Sequence, residues 1–305
     1  MGPVTVLNGD TLCADPAISI RGLRKHYGDK AAVDGLDLTV VPGEVFALLG
    51  PNGAGKSTTV EILEGFRRRT SGEVRVLGQD PEHASLSWRS RLGVMFQSTS
   101  ERSFLSAREA LIHAARLYPN PRDVDQMLDA VGLTHKARAK PQTLSGGQRR
   151  RLDVALALIG RPELVFLDEP TTGFDPQARR QFWDLIESLR GEGTTVMLTT
   201  HYLDEAEHLA DRIGIVATGR LIALDTPAGL RSRAQESVVR WREDGHMTSH
   251  ATSTPTAFIT DLAARMGAEI PDLSVTKPSL EDVYLELIGT GDTSADAHTD
   301  EEAQA

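Results

Sequence analysis

Gly50-Pro51-Asn52-Gly53-Ala54-Gly55-Lys56-Ser57-Thr58 is the stretch from which the remainder of the 305-residue sequence can be read. It fits the spacing G-x-x-x-x-G-K-[ST], whose chemistry is phosphate binding. A phosphate tail needs several short donors at close range, and glycines at 50, 53 and 55 let backbone N–H groups turn inward with no Cβ in the way. Lys56 adds a compact positive charge for the outer phosphates, and the Ser57 hydroxyl is a hard oxygen donor suited to Mg²⁺. The flanks agree with this reading. Residues 44–49, apolar from Val45 to Leu49, read as a short buried strand, and residues 56–64 read as a helix stopped by Gly65. Strand, glycine turn and helix N-terminus together make an anion site.

Upstream, Ile18 to Leu23 alternates as a half-buried strand and Leu36 to Val40 reads as a second. Tyr27 lies on the turn between them, where its ring serves either as packing or as a flat apolar partner for a purine. Downstream, residues 70–78 read as a turn and strand, and another strand ends at Gln97, whose amide suits Mg²⁺, water or a partner segment, or solvent alone. From 98 to about 151 the pattern turns helical. Ser106 with Glu109 predicts a capping box opening a helix through Leu117, and Asp123 to Val131 predicts another.

Leu144-Ser145-Gly146-Gly147-Gln148 precedes a helix over residues 149–160. Ser145 and Gln148 fit a capping box, and the two glycines leave N–H donors bare at a helix start, which makes a second anion site. Residues 164–168 then run apolar into Asp168 and Glu169, two carboxylates at the end of a buried strand. In a parallel sheet that end opens onto the ligand crevice. Asp168 is the natural Mg²⁺ acceptor and Glu169 is placed to polarise a water. After a helix around 179–189, residues 194–200 form a further strand and His201 falls at its end, either structural or a donor to a terminal phosphate. A helix over 202–211, a strand over 213–217 and its hairpin partner over 220–223 follow. Strands alternating with helices predict an α/β fold with a largely parallel sheet.

Composition narrows the class. Apolar residues make 40% of the chain and charged residues 25%, values of an ordinary globular protein. Apolar runs such as 45–49 and 155–159 are far shorter than the ~18 residues of a membrane span, and no signal-peptide pattern is read at the N-terminus. Cys13 is the single cysteine, which fits a reducing compartment. The formal net charge is -10, half of it from acids after Gly289, and this balance argues against a nucleic-acid partner.

Together these residues resemble the ATP-binding subunit of ABC transporters over about residues 18–230. Gly50 to Thr58 is similar to that family's phosphate loop, Gln97 to its glutamine loop, Leu144 to Gln148 to its signature, Leu164 to Glu169 to its acidic strand, His201 to its switch histidine and Tyr27 to its adenine-stacking aromatic. Phe174 departs from the leucine common before Asp175. The resemblance implies a P-loop NTPase with a RecA-like core, an antiparallel β subdomain, a helical subdomain and a small C-terminal accessory domain. The expected division is a disordered leader over 1–16, the ATPase domain over 17–230 with its helical part at about 98–151, the accessory domain over 231–289 and an acidic disordered tail over 290–305.

It further implies ATP and Mg²⁺, with Ser57, Gln97 and Asp168 toward the metal and Glu169, His201 and Lys56 in catalysis. A homodimer would place ATP between Lys56 of one copy and Ser145 to Gln148 of the other, beside a separate transmembrane permease at the cytoplasmic face of the membrane. Residues 277–289 are similar to the ending of daunorubicin-resistance-type ATPases, which favours an exporter of drugs or other small molecules. An importer ATPase, or a soluble ABC ATPase without a permease, is the alternative expectation.

Overall fold

A computed structural model of the chain describes residues 15–95, 104–233, 237–243, 245–267, 269–276 and 279–292. Gln97, the leader before residue 15 and the acidic tail beyond 292 lie outside the described residues.

The first two strands, β1 (Ile18–Tyr27) and β2 (Lys30–Val40), form an antiparallel hairpin. Both are longer than expected: Tyr27 closes β1 opposite Lys30 and does not lie on the turn. Register shifts between Ile20 and Leu23 and between Lys25 and His26 break the two-residue period, which is why alternation stops short in the sequence. Next come β3 (Val45–Leu49), α1 (Lys56–Leu63) and β4 (Ser71–Val76), the last pairing with the free side of β1 to complete a three-stranded sheet. The short α2 (Leu86–Arg89) buries Trp88 fully, and its indole N–H donates to the Val76 carbonyl at 2.7 Å.

The chain then enters the main sheet with β5 (Leu92–Met95), crosses through α3 (Ala107–Ala115), α4 (Val124–Ala130) and α5 (Gly146–Leu158), and returns as β6 (Leu164–Asp168). The capping box of Ser106 and Glu109 is formed as expected. After α6 (Pro176–Gly191), β7 (Thr195–Thr199) and α7 (Leu203–Leu209), the pair β8 (Arg212–Ala217) and β9 (Arg220–Asp225) closes the sheet. Its order is β5-β6-β7-β3-β8-β9, parallel throughout except for the antiparallel edge strand β9.

Side-chain alternation divides two cores. Val45, Ala47 and Leu49 of β3 face the helices, while Phe46 and Leu48 face the antiparallel sheet and α1. The register does the rest: Leu48 and Asp168 both stand opposite Thr199, so β3, β6 and β7 end side by side at one rim.

Beyond α8 (Pro227–Arg233), the strands β10 (Ser237–Glu243), β11 (His246–Thr252) and β12 (Ser274–Thr276) form a small antiparallel sheet against α9 (Pro255–Met266). Val239, Trp241, Leu262 and Ile270 make its separate core. The final helix, α10 (Leu280–Asp292), returns to the main body, where Leu280 is buried and Tyr284 and Leu287 pack against the main core. β11 and β12 leave little apolar pattern in the sequence, because almost all of their residues are exposed.

Candidate functional site

Three strand ends build the site. After β3, the loop of residues 50–55 turns on glycines with φ of +159° at Gly50, +82° at Gly53 and +102° at Gly55. Gly50 and Gly55 are also sterically tight. A Cβ at Gly50 would come 2.2 Å from the Val216 carbonyl oxygen, and one at Gly55 would come 2.3 Å from that of Ala32. α1 then starts at Lys56 with Gly55 as its cap and no side chain satisfying its first N–H groups. That is the arrangement in which a helix start accepts an anion. Lys56 is buried, and its Nζ donates to the carbonyls of Gly50 at 2.7 Å and Pro51 at 3.1 Å. Burial pulls the Lys56 ammonium below its ordinary pKa, against the pull of Glu169 and Asp168.

A cavity of about 300 Å³ opens here. Tyr27, Asn52, Gly53, Gly55, Lys56, Ser57, Thr58 and Glu169 line it, with Lys30 and Ala32 of the hairpin. Pro51 and Ala54 shape the loop behind it. Tyr27 is 43% exposed, so it is a surface platform more than a packed core residue. Lys25 Nζ lies 5.0 Å from its centroid and the Arg67 guanidinium 5.4 Å.

At the end of β6, an Asp168 carboxylate oxygen accepts from the Thr199 hydroxyl on the neighbouring strand. Glu169 has φ of +48°, a left-handed conformation that costs a residue with a Cβ about 1–3 kcal/mol. Neighbours hold it there. Its N–H donates to Thr199, at 3.0 Å to the carbonyl and 3.2 Å to Oγ1, while the Arg150 guanidinium donates to the carbonyls of Asp168 and Glu169. The turn aims the Glu169 carboxyl at the cavity and brings Oε1 within 3.4 Å of His201 Nδ1. Asp168, Glu169, His201 and the loop are therefore brought together. Neither Thr199 nor Arg150 was singled out from the sequence; the position of Thr199 directly after the apolar run 196–198, opposite Asp168 in the register, was the available signal.

Residues 145–148 are elsewhere. They head α5, and the capping box forms: Ser145 Oγ accepts from the Gln148 N–H at 3.2 Å and Gln148 Oε1 from the Ser145 N–H at 3.1 Å. None of the four lines the Lys56 cavity. Gly146 faces open space, whereas a Cβ on Gly147 would come 2.6 Å from the Gly173 carbonyl oxygen, so Gly147 lets this helix start approach the turn after Glu169. Phe174 in that turn stands edge-on to Phe182 at 6.1 Å, which accommodates the larger ring in place of leucine.

Comparison with known proteins follows the same lines. The ABC transporter family model matches residues 33–172. The daunorubicin resistance ATP-binding protein DrrA3 of Streptomyces coeruleorubidus is 38% identical, over 90% of this chain and 97% of that protein. The Nod factor export ATP-binding protein I of Sinorhizobium fredii is 39% identical, over 90% of this chain and 87% of its own length. Among solved structures, an ATP-binding subunit of an ABC transporter matches with a TM-score of 0.65 at 25% identity, covering 71% of this chain and 92% of that one. A dimeric bacterial ABC transporter cassette matches with a TM-score of 0.62 at 25% identity, covering 68% and 98%.

Proposed function

Because the chain belongs to the ABC transporter ATP-binding family, we propose that it binds and hydrolyses ATP to power a separate transmembrane exporter of drugs, antibiotics or other small molecules. The names of relatives favour export over import, since one group confers daunorubicin resistance and another exports Nod factor. Among the described residues no helix is long and apolar enough to cross a membrane; the path for cargo is assigned to the transmembrane permease with which ABC ATP-binding subunits act. Phe104 and Leu117, on either side of α3, are 84% and 72% exposed and offer that polypeptide an apolar landing.

The observation that carries this reading is the shared rim of β3, β6 and β7, where the glycine loop, Glu169 and His201 converge. The triphosphate lies against the N–H groups of the glycine loop and of the start of α1, with Lys56 leaving its carbonyl partners to offset outer-phosphate charge, and the base stacks on Tyr27. The oxygen donors of Ser57 and Asp168 suit a hard dication, and Mg²⁺ bound there supplies charge neutralisation at the outer phosphates. Gln97 is assigned to the same ion by resemblance alone. Glu169 takes the proton of the attacking water as general base, and His201 holds the Glu169 carboxyl and the terminal phosphate in line.

Ser145 to Gln148 then act across a two-fold axis, on the nucleotide held by a second copy of the chain, as the dimeric form of the matching cassette supports. Glu169→Gln keeps the shape of the turn and removes the base. In the full chain it leaves ATP binding within about threefold, lowers phosphate release at least a hundredfold and gives an ATP-dependent dimer by size-exclusion chromatography. Turnover within tenfold of the parent, or a monomer at saturating ATP, overturns the assignment.

A further inference from the structure

α7 carries a carboxylate that nothing in the hydrolytic scheme uses. Glu205 lies in the first turn of α7, four residues past His201, and is fully buried. A carboxyl there is expensive to desolvate unless hydroxyls or charges face it. Burial raises its pKa, while the Thr200 and Thr171 hydroxyls and the Arg179 charge act the other way. Thr171 and Thr200 are themselves only 1% exposed. The Thr200 oxygen already accepts from the Tyr202 N–H at 3.0 Å, so its own proton remains to be donated. Neither Glu205 oxygen nor Thr171 Oγ1 completes a hydrogen bond of normal geometry with another described residue. The two hydroxyls that act on this buried acceptor come one from each flank of the site: Thr171 is two residues after Glu169 and Thr200 directly precedes His201.

The surroundings form a joint. Arg179, in the first turn of α6, reaches Asp204 at 3.2 Å and lies 4.6 Å over the Tyr202 ring. Trp183 on α6 stacks on His208 of α7 at 4.2 Å, and the Tyr202 ring lies 4.1 Å from His201. α6 begins where the 171–175 turn ends, and α7 begins just after His201, so these contacts join the two turns through their helices.

We propose that Glu205 is a positioning residue, bridging the Thr171 and Thr200 hydroxyls so that the turn after Glu169 and the turn bearing His201 keep one relative placement. The inference rests on the reading of Glu169 and His201 given above. A shift of the 171–175 turn, which touches the start of α5 at Gly147, is passed by this bridge to the histidine.

The test uses the full chain with Mg-ATP, measuring phosphate release, thermal unfolding and backbone hydrogen exchange. Glu205→Ala lowers kcat at least tenfold with KM for ATP within twofold, because the glycine loop and Tyr27 hang on other strands. Glu205→Gln, which keeps the shape and an acceptor, restores kcat to within threefold of the parent. Adding Thr171→Val to Glu205→Ala costs less than a further twofold, since the bridge is already broken. A folded Glu205→Ala with kcat within twofold of the parent, a Glu205→Gln no better than Glu205→Ala, or losses that multiply in the double variant overturn the proposal.

If Glu205→Ala fails to fold, Thr171→Val decides: it speeds exchange in the peptide covering residues 199–203 on the opposite flank and leaves residues 50–58 unchanged, and unaltered exchange at 199–203 overturns the bridge. A parent chain that binds ATP without turnover counts against the hydrolytic reading of Glu169, and the exchange result still decides this one.

Discussion

Lys56 shows what single residues do here: a buried ammonium is held by two carbonyls of its own loop, beside the N–H groups that face the phosphates whose charge it is meant to offset. Lys56→Ala removes the charge without disturbing the turn, so ATP affinity measured by fluorescent-nucleotide titration falls at least tenfold while the melting temperature stays within a few degrees. Glu64, at the end of α1, is the residue with the clearest pH signature. Burial, with the nearby charges of Asp168 and Glu61, pushes its carboxyl up to about 8. A carboxyl raised in the folded state binds its proton more tightly there than in the unfolded chain, so it lowers stability as pH rises from its ordinary value near 4.5 toward 8. Glu64→Gln removes that loss. Thermal unfolding without nucleotide then shows an advantage over the parent that widens from pH 6 to pH 8 and levels off above; a constant gap would refute the buried-charge account. Gly147 makes a steric prediction. Gly147→Ala sets a methyl against the Gly173 carbonyl and costs about 1–3 kcal/mol of stability, read by denaturant unfolding.

At the scale of elements, what the sequence disclosed and what it hid have physical reasons. β3 and β6 were legible because both faces are buried and the runs are uniformly apolar, and α5 because its capping box is written in Ser145 and Gln148. The first hairpin was half legible, since its register shifts scramble the two-residue alternation. β11 was not legible at all: no residue of it is buried, and its pairing with β10 is carried by the backbone. In the site, the loop, Glu169 and His201 could be named in advance because their spacing carries the chemistry. Thr199 and Arg150 could not, because what they do depends on strand register and helix approach, which only three dimensions supply. α10 makes a further prediction. Its first residue, Leu280, is 1% exposed and belongs to the main core, so Leu280→Ala costs about 2–5 kcal/mol and lowers the unfolding midpoint of the ATPase body. A variant that melted only the 237–276 sheet would show that α10 is an appendage.

Across the whole molecule, two cores share one sheet, and the site lies at the rim that both support. The strand order also decides when that rim can exist. β3, with the glycine loop at its end, is flanked by β7 and β8, whose residues lie some 150 positions further along the chain. A ribosome adding roughly 5–20 residues per second leaves the apolar β3 without either neighbour for about ten seconds or more. A nascent polypeptide ending before residue 195 therefore displays an unmatched central strand, a natural target for chaperones and for proteases alike.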